Sequence, residues 1–219
     1  MTQDVARTGQ PSATPRIAPG TKSQIGRVNF AIVRVLGGLT GGSPPNLFTT
    51  LALHRGLFRR WLRFAGALMP GGLLRRVESE LVILRVAHNC GCAYERAHHE
   101  RLGRLAGLTA EEIGRVGEGP DASGWSERQR LHLRAADELH GAARTISPEL
   151  WTALAAEHTP AELIELCMLV GHYEMLAMTL NAIAVQPDRL SADGPPRALR
   201  AMQALQQRRR RRVTVGGAT

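Results

Sequence analysis

The stretch "ELVILRVAHNCGCAYERAHHE", Glu80 to Glu100, sets two cysteines, three histidines and three glutamates beside a short apolar run. On an α-helix each residue advances about 100°. Counted from Cys92, Glu95 then lies about 60° to one side and His99 about 20° away, so the three share one face while His98 points elsewhere. Glu95 and His99 are direct i,i+4 neighbours. The pattern is Cys-x-x-Glu-x-x-x-His at a helix start, where backbone N–H groups favour a thiolate or a carboxylate. Asn89 and Gly91 mark a break just before it. Such a set of side chains can serve as a catalytic site, a metal site or the wet face of a helix.

Outward from this stretch the chain is punctuated by helix caps. Thr109–Glu112, Ser126–Gln129 and Thr159–Glu162 have the spacing of a capping box. Ser147-Pro148 and Thr159-Pro160 put a hydroxyl at the N-cap and proline at the first helical position. Gly107 stands where a helix end needs a left-handed residue. These signals predict helices near 74–88, 92–105, 109–116, 126–143, 148–157 and 160–185. Upstream, an apolar segment from Phe30 to Leu39 ends in Gly41–Pro45. The next segment has apolar residues at helical spacing, is expected to break near Gly56, and closes at Pro70-Gly71-Gly72. No strand-like alternation remains, so the fold class is all-α.

Five of the nine net positive charges sit in Arg208–Arg212 and three in residues 1–27, which leaves 28–207 near neutral. Residues 1–27 are rich in Pro, Thr, Gln and Gly without periodicity, and are expected to be disordered. Residues 28–192 are expected to form the helical domain and 193–219 a basic tail. That tail has an amphipathic stretch (Leu199, Met202, Leu205) but no aromatic residues among its arginines to stack on bases, so nucleic-acid binding is not expected. Cys90, Cys92 and Cys167 are too few and too irregularly placed for a disulfide framework. With no signal peptide and no run of about twenty apolar residues, a cytoplasmic chain without a membrane span is expected.

Glu80, then Cys92-Ala-Tyr-Glu95-Arg-Ala-His98-His99 and "AGLTAEEI", together with the later "ELIELCMLVGHYEMLAMTLNAIAVQPD", resemble the carboxymuconolactone decarboxylase and alkylhydroperoxidase D-like (AhpD-like) superfamily over roughly residues 45–190. The resemblance implies an all-helical bundle that assembles as trimers or multiples of trimers, with sites near subunit contacts. Its peroxidase branch uses a glutamate, two cysteines three apart and a histidine. Glu80, Cys92 and His99 match three of these, and Glu95 stands where the second cysteine belongs. A carboxylate cannot form a sulfenic acid or a disulfide, so the dithiol route lacks its second thiol at this position. A Cys90–Cys92 pair would close a very small, strained ring.

Two carboxylates and an imidazole in one pocket push their pKa values apart, which suits proton transfer. The expectation is cofactor-free decarboxylation or isomerisation of a small carboxylated or lactone-like molecule. His99 would be the general acid/base, Glu95 its proton partner, Glu80 an orienting group and Cys92 a polar wall. His172 and Tyr173 are candidate substrate contacts. A peroxidase using Cys92 with Cys90, and a non-catalytic binding protein, are the alternatives. No cofactor motif is present and no metal is expected, although Glu95-x-x-His98 with Asp137-x-x-His140 has the spacing of a di-iron bundle. His88 reads as a helix-end cation, Cys167 as a core residue, and Trp61, Trp125 and Trp151 as packing residues.

Overall fold

The computed structural model describes residues 14–40 and 44–188. In chain order its helices are α1 (Lys22–Ile25), α2 (Arg27–Thr40), α3 (Asn46–Leu51), α4 (Arg55–Leu68), α5 (Arg76–Asn89), α6 (Ala93–Ala106), α7 (Ala110–Arg115), α8 (Glu127–His140), α9 (Pro148–Glu157) and α10 (Pro160–Ile183). A short 3-10 turn, Val116–Glu118, follows α7, and no strand occurs among the described residues. All three anticipated capping boxes form, at Thr109, Ser126 and Thr159. Gly107 ends α6 at φ 111°. The break in the 46–68 segment falls at Ala52–His54, just ahead of Gly56, because His54 accepts from the Leu57 N–H and caps the second helix.

Helix α5 is the axis of the bundle. It packs against α6, α8 and α10 at once, and every residue from Glu78 to Leu84 is buried. A helix covered on all sides shows no amphipathic stripe. Two of its buried residues are carboxylates, which are tolerated in an interior only when paired. Arg75 and Arg128 each come within 2.6 Å of Glu78. Burial alone would raise the Glu78 carboxyl, but these partners hold it down to about 2.

Three apolar clusters surround this axis. The largest joins Val82, Ile83 and Val86 of α5 to Leu166, Leu169, Leu176 and Leu180 of α10. A second gathers Leu81, Leu84, Ile113, Trp125 and Leu133. A third, around Ile25, Val33 and Phe58, is joined to the first through Trp61. Trp151, expected to pack, is 45% exposed because its face of α9 turns outward. Helix α10 is long and apolar enough to cross a membrane by length and composition, yet over half of that window is buried in the bundle.

The segment expected to be disordered overlaps this structure. Ile25 is buried, Gly20 N–H donates to the Thr49 carbonyl, and Arg16 donates to the carbonyls of Ala182 and Ile183. Residues 14–27 are thus fastened to α3, α4 and α10 by hydrogen bonds that composition does not reveal. Residues 1–13, the tail from 189 onward and Arg208–Arg212 lie outside the described residues.

The turn into α5 depends on a carboxylate from α10. Glu165 accepts the backbone N–H groups of Leu73 at 2.5 Å and Leu74 at 3.1 Å. A Cβ on Gly72 would press on that carboxylate and on the Leu68 carbonyl. Replacing Glu165→Ala removes two charge-assisted bonds and strands buried donors, at a cost of about 2–3 kcal/mol. Thermal unfolding should shift down by about 5–10 °C. An unchanged midpoint would show that the turn holds without Glu165.

Candidate active site: two carboxyl groups about an apolar cavity

A cavity of about 330 Å³ opens between α3, α4, α6 and α10. Leu47, Phe48, Trp61, Leu62, Ala65 and Leu176 make it largely apolar. Its polar wall is Arg76 from α5, Glu95, His98, His99 and Arg101 from α6, and His172 and Tyr173 from α10.

The short helix turn that follows α5 explains how α6 reaches the cavity. Gly91, at φ 59°, reverses the chain between Cys90 and Cys92, and Cys92 becomes the N-cap of α6. Helix α6 then lies close along α5, because Gly103 faces Leu84, Leu108 and the Glu80 side chain where a Cβ would crowd Leu108. This juxtaposition sets His99 against Glu80. The His99 Nδ1 and Glu80 Oε2 are 2.6 Å apart, and the Arg76 guanidinium is 2.5 Å from the other Glu80 oxygen. Burial would raise the Glu80 carboxyl, but Arg76 and His99 more than offset it and hold the group below its ordinary value. Glu80 is therefore an anion, fully buried one bond behind the cavity wall. Its bond to Nδ1 leaves Nε2 as the ring nitrogen of His99 available for other chemistry.

Glu95 is in the opposite situation. It is buried, lines the cavity, and neither carboxylate oxygen has a hydrogen-bond partner among the described residues. Burial pushes its carboxyl up to about 8, outweighing the smaller lowering effect of the nearby Cys92 thiol. At neutral pH Glu95 is a carboxylic acid facing an apolar space.

His172 and Tyr173 on the wall are also neutral. His172 stacks on Trp61 at 6.0 Å and meets Phe64 edge-on, and its Nδ1 has no partner among the described residues. Burial holds its imidazole down to about 4. Tyr173 sets its ring edge-on to His99 at 5.1 Å. Its phenol is pushed above the ordinary range, first by burial and then by the Glu80 charge.

Of the six residues singled out from sequence, Glu95, His99, His172 and Tyr173 meet at this cavity and Glu80 stands behind it. Cys92 does not line it. As the N-cap rather than a helical residue, it turns into the main core at 1% exposure. Burial and the Glu95 charge push its thiol up to about 12, and Cys90 is pushed up to about 11 by burial and Glu174. His98 does reach the wall, held at 2.8 Å by Asp188 and stacked on Tyr94, which hydrogen-bonds the same carboxylate. Tyr94 is thereby a buried clamp. His88 carries no helix-end cation: burial and the neighbouring Arg85 and Arg96 lower its imidazole.

Residues 55–138 match the carboxymuconolactone decarboxylase family. The matched segment runs from the start of α4 to near the end of α8. The fold of the chain is similar to an alkylhydroperoxidase AhpD-core, peroxidase-related protein from Ralstonia eutropha JMP134, with TM-score 0.72 and 19% identity over 80% of this chain and 93% of that one. A peroxidase-related protein from Silicibacter sp. TM1040 matches at TM-score 0.66 and 18% identity, over 85% and 96% of the two chains. The debrominase Bmp8 matches at TM-score 0.69 and 15% identity, over 88% and 100%. At such identities the likeness is one of fold. No curated protein matches in sequence.

Two features of this site were not read from sequence. Arg76 is one helical turn before Glu80, so an i,i+4 count would have found it. The Asp188 clamp on His98 and Tyr94 joins residues some ninety positions apart and leaves no local signal. The di-iron spacing does not converge, because Asp137 is bound to Arg85 and Asn89, and lines a different cavity from Glu95 and His98. Cys90, His140 and Glu174 do group their donor atoms within 4.8 Å. That cluster is charge-balanced within the chain: Glu174 meets His140 Nδ1 and Arg144, both at 2.6 Å.

The raised Glu95 carboxyl has a measurable cost. The unfolded chain releases this proton at the ordinary carboxyl value of 4.5 and the folded chain at about 8. Between those values the folded state holds the extra proton, so stability falls as pH rises through that window. Glu95→Gln should therefore raise the melting temperature more at pH 8 than at pH 4.5, by roughly 3–10 °C. An equal shift at both pH values would show that Glu95 titrates normally.

Proposed function

We propose that the cavity carries out cofactor-free proton transfer, decarboxylating or isomerising a small carboxylated or lactone-like substrate. The observation that carries this reading is the contrast between two carboxyl groups about one cavity: Glu80 ionised and clamped, Glu95 protonated and without a partner. A pair of titratable groups driven apart in this way can hold a base and an acid at one pH. Arg76 and Arg101 put guanidinium groups on the same wall, which suits a substrate carboxylate.

In decarboxylation the C–C bond to the carboxylate breaks, carbon dioxide leaves, and the electron pair stays on the substrate as an enolate. Glu95 is then the proton donor to that carbon. His99, held by Glu80, faces the developing oxyanion or the proton removed in an isomerisation, and Glu80 stabilises the imidazolium formed. His172 and Tyr173 supply neutral polar contacts, and the apolar wall excludes water.

A panel of γ-lactone carboxylates and β-keto acids tests this. Turnover should be lost by about 10²–10⁴-fold in Glu95→Gln and in His99→Asn. In the wild type kcat/KM should decline above about pH 8, where Glu95 ionises. Undiminished turnover in Glu95→Gln would remove Glu95 from the mechanism.

A thiol peroxidase is the competing reading, since two of the similar folds are peroxidase-related proteins. The thiolate is the reactive form. With Cys92 pushed up to about 12 and Cys90 to about 11, both thiols are almost wholly protonated at neutral pH. One equivalent of hydrogen peroxide should leave all three cysteines titratable after denaturation. Loss of two thiols would move the chemistry to Cys90 and Cys92.

A further inference from the structure

Away from the cavity, donor atoms from three helices converge on one spot. Cys90 is the C-cap of α5, His140 is the last residue of α8, and Glu174 stands in the middle of α10. Cys90 Sγ, His140 Nδ1 and a Glu174 oxygen all lie within 4.8 Å of one another. The sulfur is 4.0 Å from Nδ1, and Glu174 Oε1 is 2.6 Å from the same nitrogen. None of the three residues lines the cavity that holds Glu95. Cys90 and Glu174 stand 50 and 34 positions from His140 along the chain, so no local spacing announces the group.

Hydrogen bonding alone does not account for this arrangement. One ring nitrogen carries one proton, and the carboxylate at 2.6 Å takes it. The thiol faces that nitrogen without a proton to share. A cation accounts for all three donors at once. In a tetrahedral zinc site, ligand atoms bound at about 2.0–2.3 Å stand roughly 3.3–3.6 Å apart. The sulfur need close in by only about half an ångström and Oε1 draw back by about 0.7 Å, movements that side-chain rotation supplies.

The surroundings favour a cation as well. Helices α5 and α8 both end here, and helix C-termini carry partial negative charge. Arg144 meets the other Glu174 oxygen at 2.6 Å and turns Oε1 inward, as an outer partner orients a metal ligand. The Asn181 amide donates to the Cys90 carbonyl and fixes the backbone beneath the sulfur. All three residues are partly exposed, which leaves an ion a way in and a fourth position open to water.

We infer that Cys90, His140 and Glu174 form a zinc site that ties the ends of α5 and α8 to α10. Its ligands are a thiolate, the imidazole Nδ1, one carboxylate oxygen and a water. Sulfur and nitrogen among the donors select zinc over magnesium and calcium, which prefer oxygen alone. Burial and Glu174 push the free Cys90 thiol up to about 11, but a coordinated thiol is deprotonated outright, so its proton passes to solvent as the ion binds. The site is independent of the chemistry proposed for the cavity.

Calorimetric titration of the EDTA-stripped full chain with zinc, at tens of micromolar protein, tests this. One equivalent should bind and raise the melting temperature. Cobalt in place of zinc should give a thiolate-to-metal charge-transfer band in the near ultraviolet and the intense visible bands of a tetrahedral ion. Cys90→Ser should abolish the charge-transfer band with the circular dichroism unchanged. Cys90→Ser, His140→Gln and Glu174→Gln should each weaken zinc binding by at least about tenfold. Cys167→Ser should bind as the wild type does, and millimolar magnesium should not displace the zinc. A wild type that takes up no zinc, a cobalt complex without the thiolate band, or uptake unchanged in the three variants would each overturn the inference. So would loss of binding in Cys167→Ser or displacement by magnesium, since the ion would then sit on another thiol or on oxygen ligands alone.

Discussion

A carboxylate sealed into the centre of a helical bundle is the constraint on which the rest of this molecule turns. Glu80 sits on the one helix that is covered on all sides, and it can remain there ionised only because Arg76 and His99 meet its two oxygens. Removing either partner would leave an uncompensated buried charge, the situation that most strongly destabilises an interior. The pairing therefore acts as a register lock between α5 and α6. Gly103 allows the two helices to approach, and the Glu80–His99 contact fixes how far α6 is rotated. Once that rotation is set, Glu95, one turn before His99, is directed into the cavity.

The same lock produces the electrostatic asymmetry of the site. Glu80 and Glu95 are both buried carboxylates around one space, yet their partners differ. Glu80 has a cation on one side and a histidine on the other, whereas neither oxygen of Glu95 has a hydrogen-bond partner among the described residues and burial dominates. Local environment, not distance along the chain, decides which one is the acid. An unpartnered buried carboxyl contributes nothing favourable to folding at neutral pH, so its presence is strain retained at the place where chemistry is proposed.

Much of this was legible from residues alone, because helix ends and helix faces are local. The caps at Thr109, Ser126, Ser147 and Thr159 are hydrogen bonds within four residues, and they appear where the spacing sets them. Glu95 and His99 share a face for the same reason. Cys92 was misplaced because one residue of uncertainty at a helix start separates a helical side chain from an N-cap, and an N-cap points elsewhere. The ordered residues 14–27 escaped notice because their anchors are backbone bonds to Thr49, Ala182 and Ile183, far away in sequence. The place of His98 on the wall was missed for a similar reason, its partner Asp188 lying at the far end of the described chain.

Glu95 stands where the resembled peroxidase branch carries a second cysteine, and the exchange is less drastic than its chemistry suggests. An unperturbed thiol titrates near 8.5 and an unperturbed glutamate near 4.3. Burial without a partner moves this glutamate up to about 8, into the acidity range of a free thiol. The neighbouring cysteines move the other way, to about 11 and 12, out of the range where a thiolate is available. The cavity thus keeps a proton donor poised near neutrality while losing the sulfur that could be oxidised. Near neutrality the site therefore holds a carboxyl proton that can be exchanged beside thiols that stay protonated, and that difference follows from which side chain is buried at position 95 and from its lack of a hydrogen-bond partner among the described residues.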